Sequence, residues 1–311
     1  MLPGILLALA ASLIYGFLGV SFEAAAKRHY PVWQFIFWKQ LCGTGLIFAV
    51  LLATRSPLYQ PQALGLAVIG ALSYVLTCAC YLTASRERDI AANWTIVNLS
   101  VLVPIGASVL WFGDKFTGAK AAGALLTLVA IVLVGGKTNL GAVARGASRW
   151  KVFILGAFLL NGVLSALFRW VPPGDSFLFV GYFYGVSCLM ALPFMLAQTR
   201  ALTSSAASLP PAASSASPRP AAARTPSRAM LGWSLAGAAS HCAGMLLTMA
   251  ALAVVAKVSA QPGVVVYPIT NGFVIPLGVV LGALILRQAI DRRRWLGVAV
   301  GMVGLVLLSL P

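Results

Sequence analysis

Charge is what this sequence has least of. Only 9% of its 311 residues are charged, against roughly 25% in a soluble globular domain. With 60% hydrophobic residues, a water-soluble fold and a disordered chain are both excluded. Acids are scarcest, at 6 Asp and Glu against 22 Lys and Arg. The apolar runs hold no carboxylate pair for acid–base work, and the chain has no H-E-x-x-H motif and no glycine-rich phosphate cradle. These gaps argue against an enzyme or an ATP-driven pump. The five cysteines (Cys42, Cys78, Cys80, Cys188, Cys242) all fall in apolar stretches and form no C-x-x-C pair, so neither a disulfide framework nor a metal centre is expected, and no cofactor is expected either. Basic excess can mark a nucleic-acid binder, but such proteins gather their cations on a soluble face. Here they lie between hydrophobic runs, so no nucleic-acid partner is expected.

What the sequence has in plenty is long apolar runs. A membrane-spanning helix needs about 20 mostly apolar residues, because backbone groups left unpaired in hydrocarbon are costly. Ten runs meet this, over residues 4–24, 32–54, 63–84, 90–113, 118–136, 152–171, 177–198, 230–256, 263–286 and 295–310. The first lacks a basic leading segment and a cleavage site, and reads as a retained helix. Residues 201–228 are rich in Ala, Ser and Pro and read as a flexible linker. The odd-numbered loops carry most of the basic residues, among them Lys27, Arg28, Arg86, Lys137, Arg200 and Arg292 to Arg294. The even ones carry only Arg55, Lys115, Lys120, Arg169 and Lys257. This asymmetry places the odd loops in the cytoplasm and both termini outside. The lipid bilayer is the surrounding partner, and the expected location is a multi-pass position in a cell membrane, the inner membrane of a bacterium.

The chain also repeats itself. Thr95-Ile96-Val97-Asn98 in the fourth run is echoed by Pro268-Ile269-Thr270-Asn271 in the ninth, and Pro104 and Pro276 follow. Asp114 precedes Gly123, and Gln288 precedes Gly297, at the same spacing. Five spans per copy is an odd number, so the second copy enters the membrane inverted, as in transporters built from inverted repeats. The expected fold is an all-α membrane protein with ten transmembrane helices as two inverted five-helix repeats. Residues 1–136 form the first repeat, 137–151 a basic connecting loop and 152–311 the second repeat.

The run Asn93-Trp94-Thr95-Ile96-Val97-Asn98-Leu99-Ser100, then Pro104, then Trp111-Phe112-Gly113-Asp114-Lys115 and Gly123, resembles the fourth-to-fifth helix signature of the drug/metabolite transporter superfamily, in particular its ten-helix EamA-like permeases. Tyr267-Pro268-Ile269-Thr270-Asn271-Gly272 also resembles the superfamily's sugar permeases. The chain departs from the family pattern where Asp114 and Gln288 stand in place of glutamate. The resemblance implies a central cavity lined by helices one to four and six to nine, with helices five and ten outside it. Gly297, Gly301 and Gly304 in helix ten suit close packing. The same spacing serves an intramolecular contact, the preferred reading, or a homodimer face.

Polar side chains inside spans usually report a cavity or a pathway. Trp94, Thr95 and Asn98 share one helix face, as do Tyr267, Thr270 and Asn271. These two patches are the leading substrate-binding candidates, with structural hydrogen bonding between helices as the alternative. Lys39 lies within the second span, where it either snorkels to the interface or attracts an anionic or zwitterionic ligand. The resemblance implies a basic residue at this position. Asn161, Tyr182 and His241 complete the candidate set, with Tyr15, Tyr81 and Tyr184 also in spans. His241 suits either a helix–helix hydrogen bond or ligand and proton contact. Glu23 and Lys27 read as an i,i+4 pair. The function expected is that of a secondary transporter moving a small polar metabolite, such as a sugar, an amino acid or a derivative, by alternating access. A non-transporting structural or lipid-handling membrane subunit is the alternative.

Overall fold

The computed structural model describes the chain except residues 56–57, 88–89, 116, 135–148, 208–225, 276, 278–279, 282–283, 285–291 and 310–311. Pro276 and Gln288 of the repeat therefore lie outside the described residues, as does the side chain of Thr95. Among the described residues there are helices and no strand. They are α1 (Leu2–Lys27), α2 (Val32–Ala53), α3 (Pro61–Glu87), α4 (Ile90–Asn98), α5 (Leu102–Phe112), α6 (Gly118–Val134), α7 (Arg149–Leu167), α8 (Ser176–Ala207), α9 (Arg228–Ala256), α10 (Pro262–Gly272) and α11 (Arg292–Ser309). Six of them, α1, α2, α3, α7, α8 and α9, are long and apolar enough to cross a membrane. Shorter apolar helices cover Ile96–Phe112, Gly118–Ala130 and Trp295–Gly304.

The outer surface is apolar and the interior is lined with small residues, as a lipid solvent demands. Leu6, Leu13 and Phe17 of α1 point outward, and so do Leu110, Leu155 and Leu189 elsewhere. Gly4, Ala8, Ala11, Gly16 and Gly19 of α1 turn inward. Lipid tails are as apolar as leucine, so helices associate through close backbone approach and polar contacts rather than hydrophobic burial. Helix α1 packs on α9, α2 on α8 and α9, α3 on α7 and α8, and α6 on α11. On α11, a Cβ at Gly301 would lie 3.2 Å from Ala130, and one at Gly304 would lie 2.9 Å from the Gly123 carbonyl. The glycine face of helix ten is therefore occupied by α6.

The fourth apolar run is interrupted. A short 3-10 turn, Leu99–Val101, separates α4 from α5. Pro104 supplies the cause, since it has no N–H for the Ser100 carbonyl and its ring crowds that group. Gly113 ends α5 in the left-handed region at φ 68°, where glycine meets no Cβ penalty. The turn lets the Asp114 N–H bond to the Ser108 carbonyl at 3.1 Å. Helix α8 runs through Ala207, so 201–207, read from sequence as linker, are helical, in keeping with the strong helix propensity of Ala201, Ala206 and Ala207.

Candidate functional site

A cavity lies among α1, α3, α4, α7, α9 and α10. Helix α1 contributes Tyr15, Leu18 and Phe22, and α3 contributes Tyr74, Thr77, Cys78 and Tyr81. The remaining lining includes Trp94, Val97 and Asn98 from α4, Asn161 and Ser165 from α7, His241 and Thr248 from α9, and Tyr267 and Asn271 from α10. Helices α2 and α8, which the resemblance placed in the lining, stand behind it. They supply Lys39 and Tyr184 to the layer that backs the wall.

Glycines make room for the cavity's rings. A Cβ at Gly19 would lie 2.7 Å from the Trp94 indole, and one at Gly244 would lie 2.6 Å from the Tyr15 ring. At Gly43 it would collide with the Tyr184 ring. Each ring therefore packs closely against a helix at its glycine, an approach that only a residue without a Cβ allows.

The asparagines of the two patches face the cavity, but their amide nitrogens are already engaged. Asn98 Nδ2 donates to the Trp94 carbonyl at 2.8 Å and Asn271 Nδ2 to the Tyr267 carbonyl at 3.3 Å, each on its own helix. Asn161 reaches across from α7, donating to Ser100 Oγ at 2.8 Å and to the Val97 carbonyl at 3.3 Å. It thereby satisfies backbone exposed at the 3-10 turn, and irregular backbone at membrane depth requires such partners. Thr77 and Ser165 donate to carbonyls of their own helices, which leaves their oxygen lone pairs for a guest, while Thr248 donates to the Gly244 carbonyl and also meets the Tyr15 hydroxyl.

Lys39 is buried at 1% exposure, so it does not snorkel. Its Nζ donates to Gln40 Oε1 at 3.3 Å. It sits 4.6 Å from the Tyr74 ring centre, 5.5 Å from that of Tyr184 and 5.8 Å from that of Phe22, within cation–π range. His241 shares a 2.7 Å hydrogen bond between its Nδ1 and the Tyr184 hydroxyl, and it stacks on Tyr74 with ring centres 4.3 Å apart. The helix–helix bond and the cavity position foreseen as alternatives for His241 therefore occur together.

Two candidates lie elsewhere. The Tyr182 hydroxyl donates to the Leu58 carbonyl at 2.6 Å and accepts from the Gln60 N–H at 3.2 Å, which ties the start of α8 to the loop before α3. Thr270 is fully buried and donates to the Val266 carbonyl at 3.1 Å, away from the lining. Glu23 and Lys27 form the expected i,i+4 pair at 3.3 Å.

Sequence reasoning missed the polar ties that close the two ends. Arg169, read as a loop cation, makes a bidentate pair with Asp114 at 2.9 and 3.0 Å and lies 4.0 Å over the Phe112 ring. Beside it, Lys120 Nζ donates to Gln261 Oε1 at 2.7 Å and to the Lys115 carbonyl at 2.8 Å. A second cavity opens at this end, and Phe168 lines both cavities. At the opposite end Trp150 Nε1 donates to Asn93 Oδ1 at 2.8 Å, and Asn93 donates to Ser85 Oγ at 3.3 Å. The partners in the Asp114–Arg169, Lys120–Gln261 and Asn93–Trp150 ties lie more than fifty residues apart, and no local pattern announces them.

Chemically, the central cavity offers aromatic faces, neutral hydrogen-bonding groups and a cation behind one wall. Among the described residues, no Asp or Glu lines it. That inventory suits holding and releasing an organic solute. The EamA-like transporter family model matches residues 2–136. With six helices long and apolar enough to cross a membrane, this match supports a multi-pass membrane protein similar to that transporter family over its first part. It supports assignment to the drug/metabolite transporter superfamily. A protein of known crystal structure, 19% identical, shares the fold with a TM-score of 0.64 over 99% of this chain and 98% of its own. No curated protein matches the chain.

Proposed function

We propose that this protein is a secondary transporter that carries a small polar metabolite, such as a sugar, an amino acid or a derivative, through the central cavity by alternating access. The observation that carries this reading is the composition of the cavity wall. Asn98 and Trp94 come from the first repeat, while Asn161, His241, Tyr267 and Asn271 come from the second, so a guest held there touches both halves. Helix packing supports the inverted repeat and the ten-span count. Exchanging the halves turns the α1–α9 contact into the α7–α3 contact and leaves the α2–α8 and α6–α11 pairs unchanged. In this reading α4 with α5, α6, α10 with its continuation, and α11 complete the ten spans. The substrate-binding set is Trp94, Asn98, Asn161, His241, Tyr267 and Asn271, with Lys39 behind the wall and Tyr182 positioning the loop before α3. Rocking about the cavity breaks and remakes the Asp114–Arg169 and Trp150–Asn93 ties in alternation. The basic odd loops face the cytoplasm of a bacterial inner membrane.

The test is cysteine labelling of Asn98→Cys and Asn271→Cys in a background without the native cysteines, in sealed proteoliposomes. Membrane-impermeant maleimides added from either side reach both positions in an alternating-access carrier. Positions closed to both sides, as in a structural or lipid-handling subunit, overturn the proposal.

A further inference from the structure

We infer that the central cavity is built for a planar organic anion, an aromatic or conjugated carboxylate, with Lys39 as the residue that sets the charge preference. This deepens the transporter reading and rests on it for the role of the cavity.

The charge argument comes first. Lys39 is buried deep in the helix bundle, and the ion pairs among the described residues are Glu23–Lys27 and Asp114–Arg169, neither of which involves it. Its ammonium is met by one neutral acceptor, Gln40 Oε1, and by three aromatic faces. Two of those rings, Phe22 and Tyr74, line the cavity, so the cation stands directly behind that wall. A positive charge in a poorly polar interior acts over such distances, because the effective dielectric constant is about 20 rather than 80. A guest carboxylate against this wall offsets it, and a guest ammonium is repelled.

An unspent donor points the same way. Trp94 Nε1 is a buried polar atom without a hydrogen-bond partner among the described residues, and its residue lines the cavity. Such donors are costly to leave bare, and a carboxylate accepts from N–H and O–H more strongly than a neutral oxygen does. Trp94 lies on the Lys39 side, 6.3 Å from the Phe22 ring centre. The oxygens of Asn98, Asn161, Asn271 and Thr77 are neutral acceptors and carry no formal charge to offset Lys39. They suit N–H or O–H groups elsewhere on the guest.

Planarity follows from the rings. Tyr15, Phe22, Tyr74, Trp94, Phe168 and Tyr267 all line the cavity, presenting faces and edges that favour stacked or edge-on contact with a flat π-system. A sugar ring uses such walls less fully, because its polar edge finds few charged partners here.

The test measures thermal unfolding of the purified full-length protein in lipid nanodiscs with three probes of matched shape: benzoate, benzamide and benzylammonium. A ligand that binds the folded state alone raises its apparent stability. Benzoate is expected to stabilise at a concentration about tenfold below that needed for benzamide, with no stabilisation by benzylammonium. Lys39→Met is expected to bring benzoate down to the level of benzamide, Lys39→Arg to retain the preference, and Trp94→Phe to weaken benzoate while keeping a ring in place. Benzamide or benzylammonium equal to benzoate in the wild type, stabilisation by none of the three, or a benzoate preference that survives in Lys39→Met overturns the inference. Should Lys39→Met fail to fold, the wild-type ranking and Lys39→Arg still decide. Two-sided labelling at Asn98→Cys and Asn271→Cys without a benzoate preference removes this inference and leaves the transporter reading standing. Benzoate binding with both positions closed to maleimide does the reverse.

Discussion

Replacing Asp114 with asparagine puts the closure at the Arg169 end to a quantitative test. The Asp114 side chain has no exposed area, and that of Arg169 has 13%. Two parallel N–H···O bonds at 2.9 and 3.0 Å join them, the geometry in which a guanidinium and a carboxylate bind most strongly. Asparagine keeps the shape and removes the charge, so a largely buried guanidinium is left without a counter-ion. Removing one partner of a buried pair costs about 3–5 kcal/mol. The residual exposure of Arg169 and the Phe112 ring 4.0 Å beneath it place the expected loss near the lower end, at about 3 kcal/mol. The double variant Asp114→Asn, Arg169→Gln removes both charges and recovers part of that loss. Reversible unfolding by SDS titration of mixed micelles, run on the wild type, both single variants and the double variant, gives the coupling energy directly. A coupling of about 2 kcal/mol or more is expected. If Asp114→Asn costs less than about 1 kcal/mol, or the coupling is near zero, the pair is not the tie that its geometry indicates.

Two further changes probe the packing behind and beyond the cavity. Gly43→Ala forces a methyl group into the Tyr184 ring, which its hydrogen bond to His241 holds in place. The same unfolding assay should show a loss of about 1–3 kcal/mol, and an unchanged midpoint would mean that the ring is free to swing aside. Trp150→Phe keeps the ring packing but strands Asn93 Oδ1, which the indole N–H reaches at 2.8 Å and whose residue is fully buried. A loss of about 1–2 kcal/mol is expected. Wild-type stability in this variant would show that the Trp150–Asn93 bond contributes nothing.

Most of the membrane architecture was legible in the sequence, because a bilayer imposes a length and a composition on every helix that crosses it. The runs around α1, α2, α3, α7, α8 and α9 are continuous and apolar, and they fold as helices long and apolar enough to cross a membrane. The linker was less legible. Alanine serves both a helix and a low-complexity tail, so composition alone did not show that α8 continues to Ala207. Within the candidate site, Trp94, Asn98, Asn161, His241, Tyr267 and Asn271 stood out as polar or amphipathic groups in apolar surroundings, and all of them line the cavity. Tyr182 carried the same signal, yet it bonds to the loop before α3, since a tyrosine near a helix end serves an interface as readily as a cavity.

The sequence by itself determined that the chain lives in lipid, where its helices run, and which side chains are too polar to face acyl tails. Those properties are local, set by transfer energy and helical period. Only the tertiary structure decided how those side chains are paired. It set Lys39 behind a wall of rings with no carboxylate partner among the described residues, joined His241 to Tyr184, and brought Arg169 to Asp114 from distant parts of the chain. It also seated Trp94, Tyr184 and Tyr15 against glycines on other helices. Each of these depends on the angle and depth at which distant helices meet, and that geometry is fixed by close packing of many small residues at once.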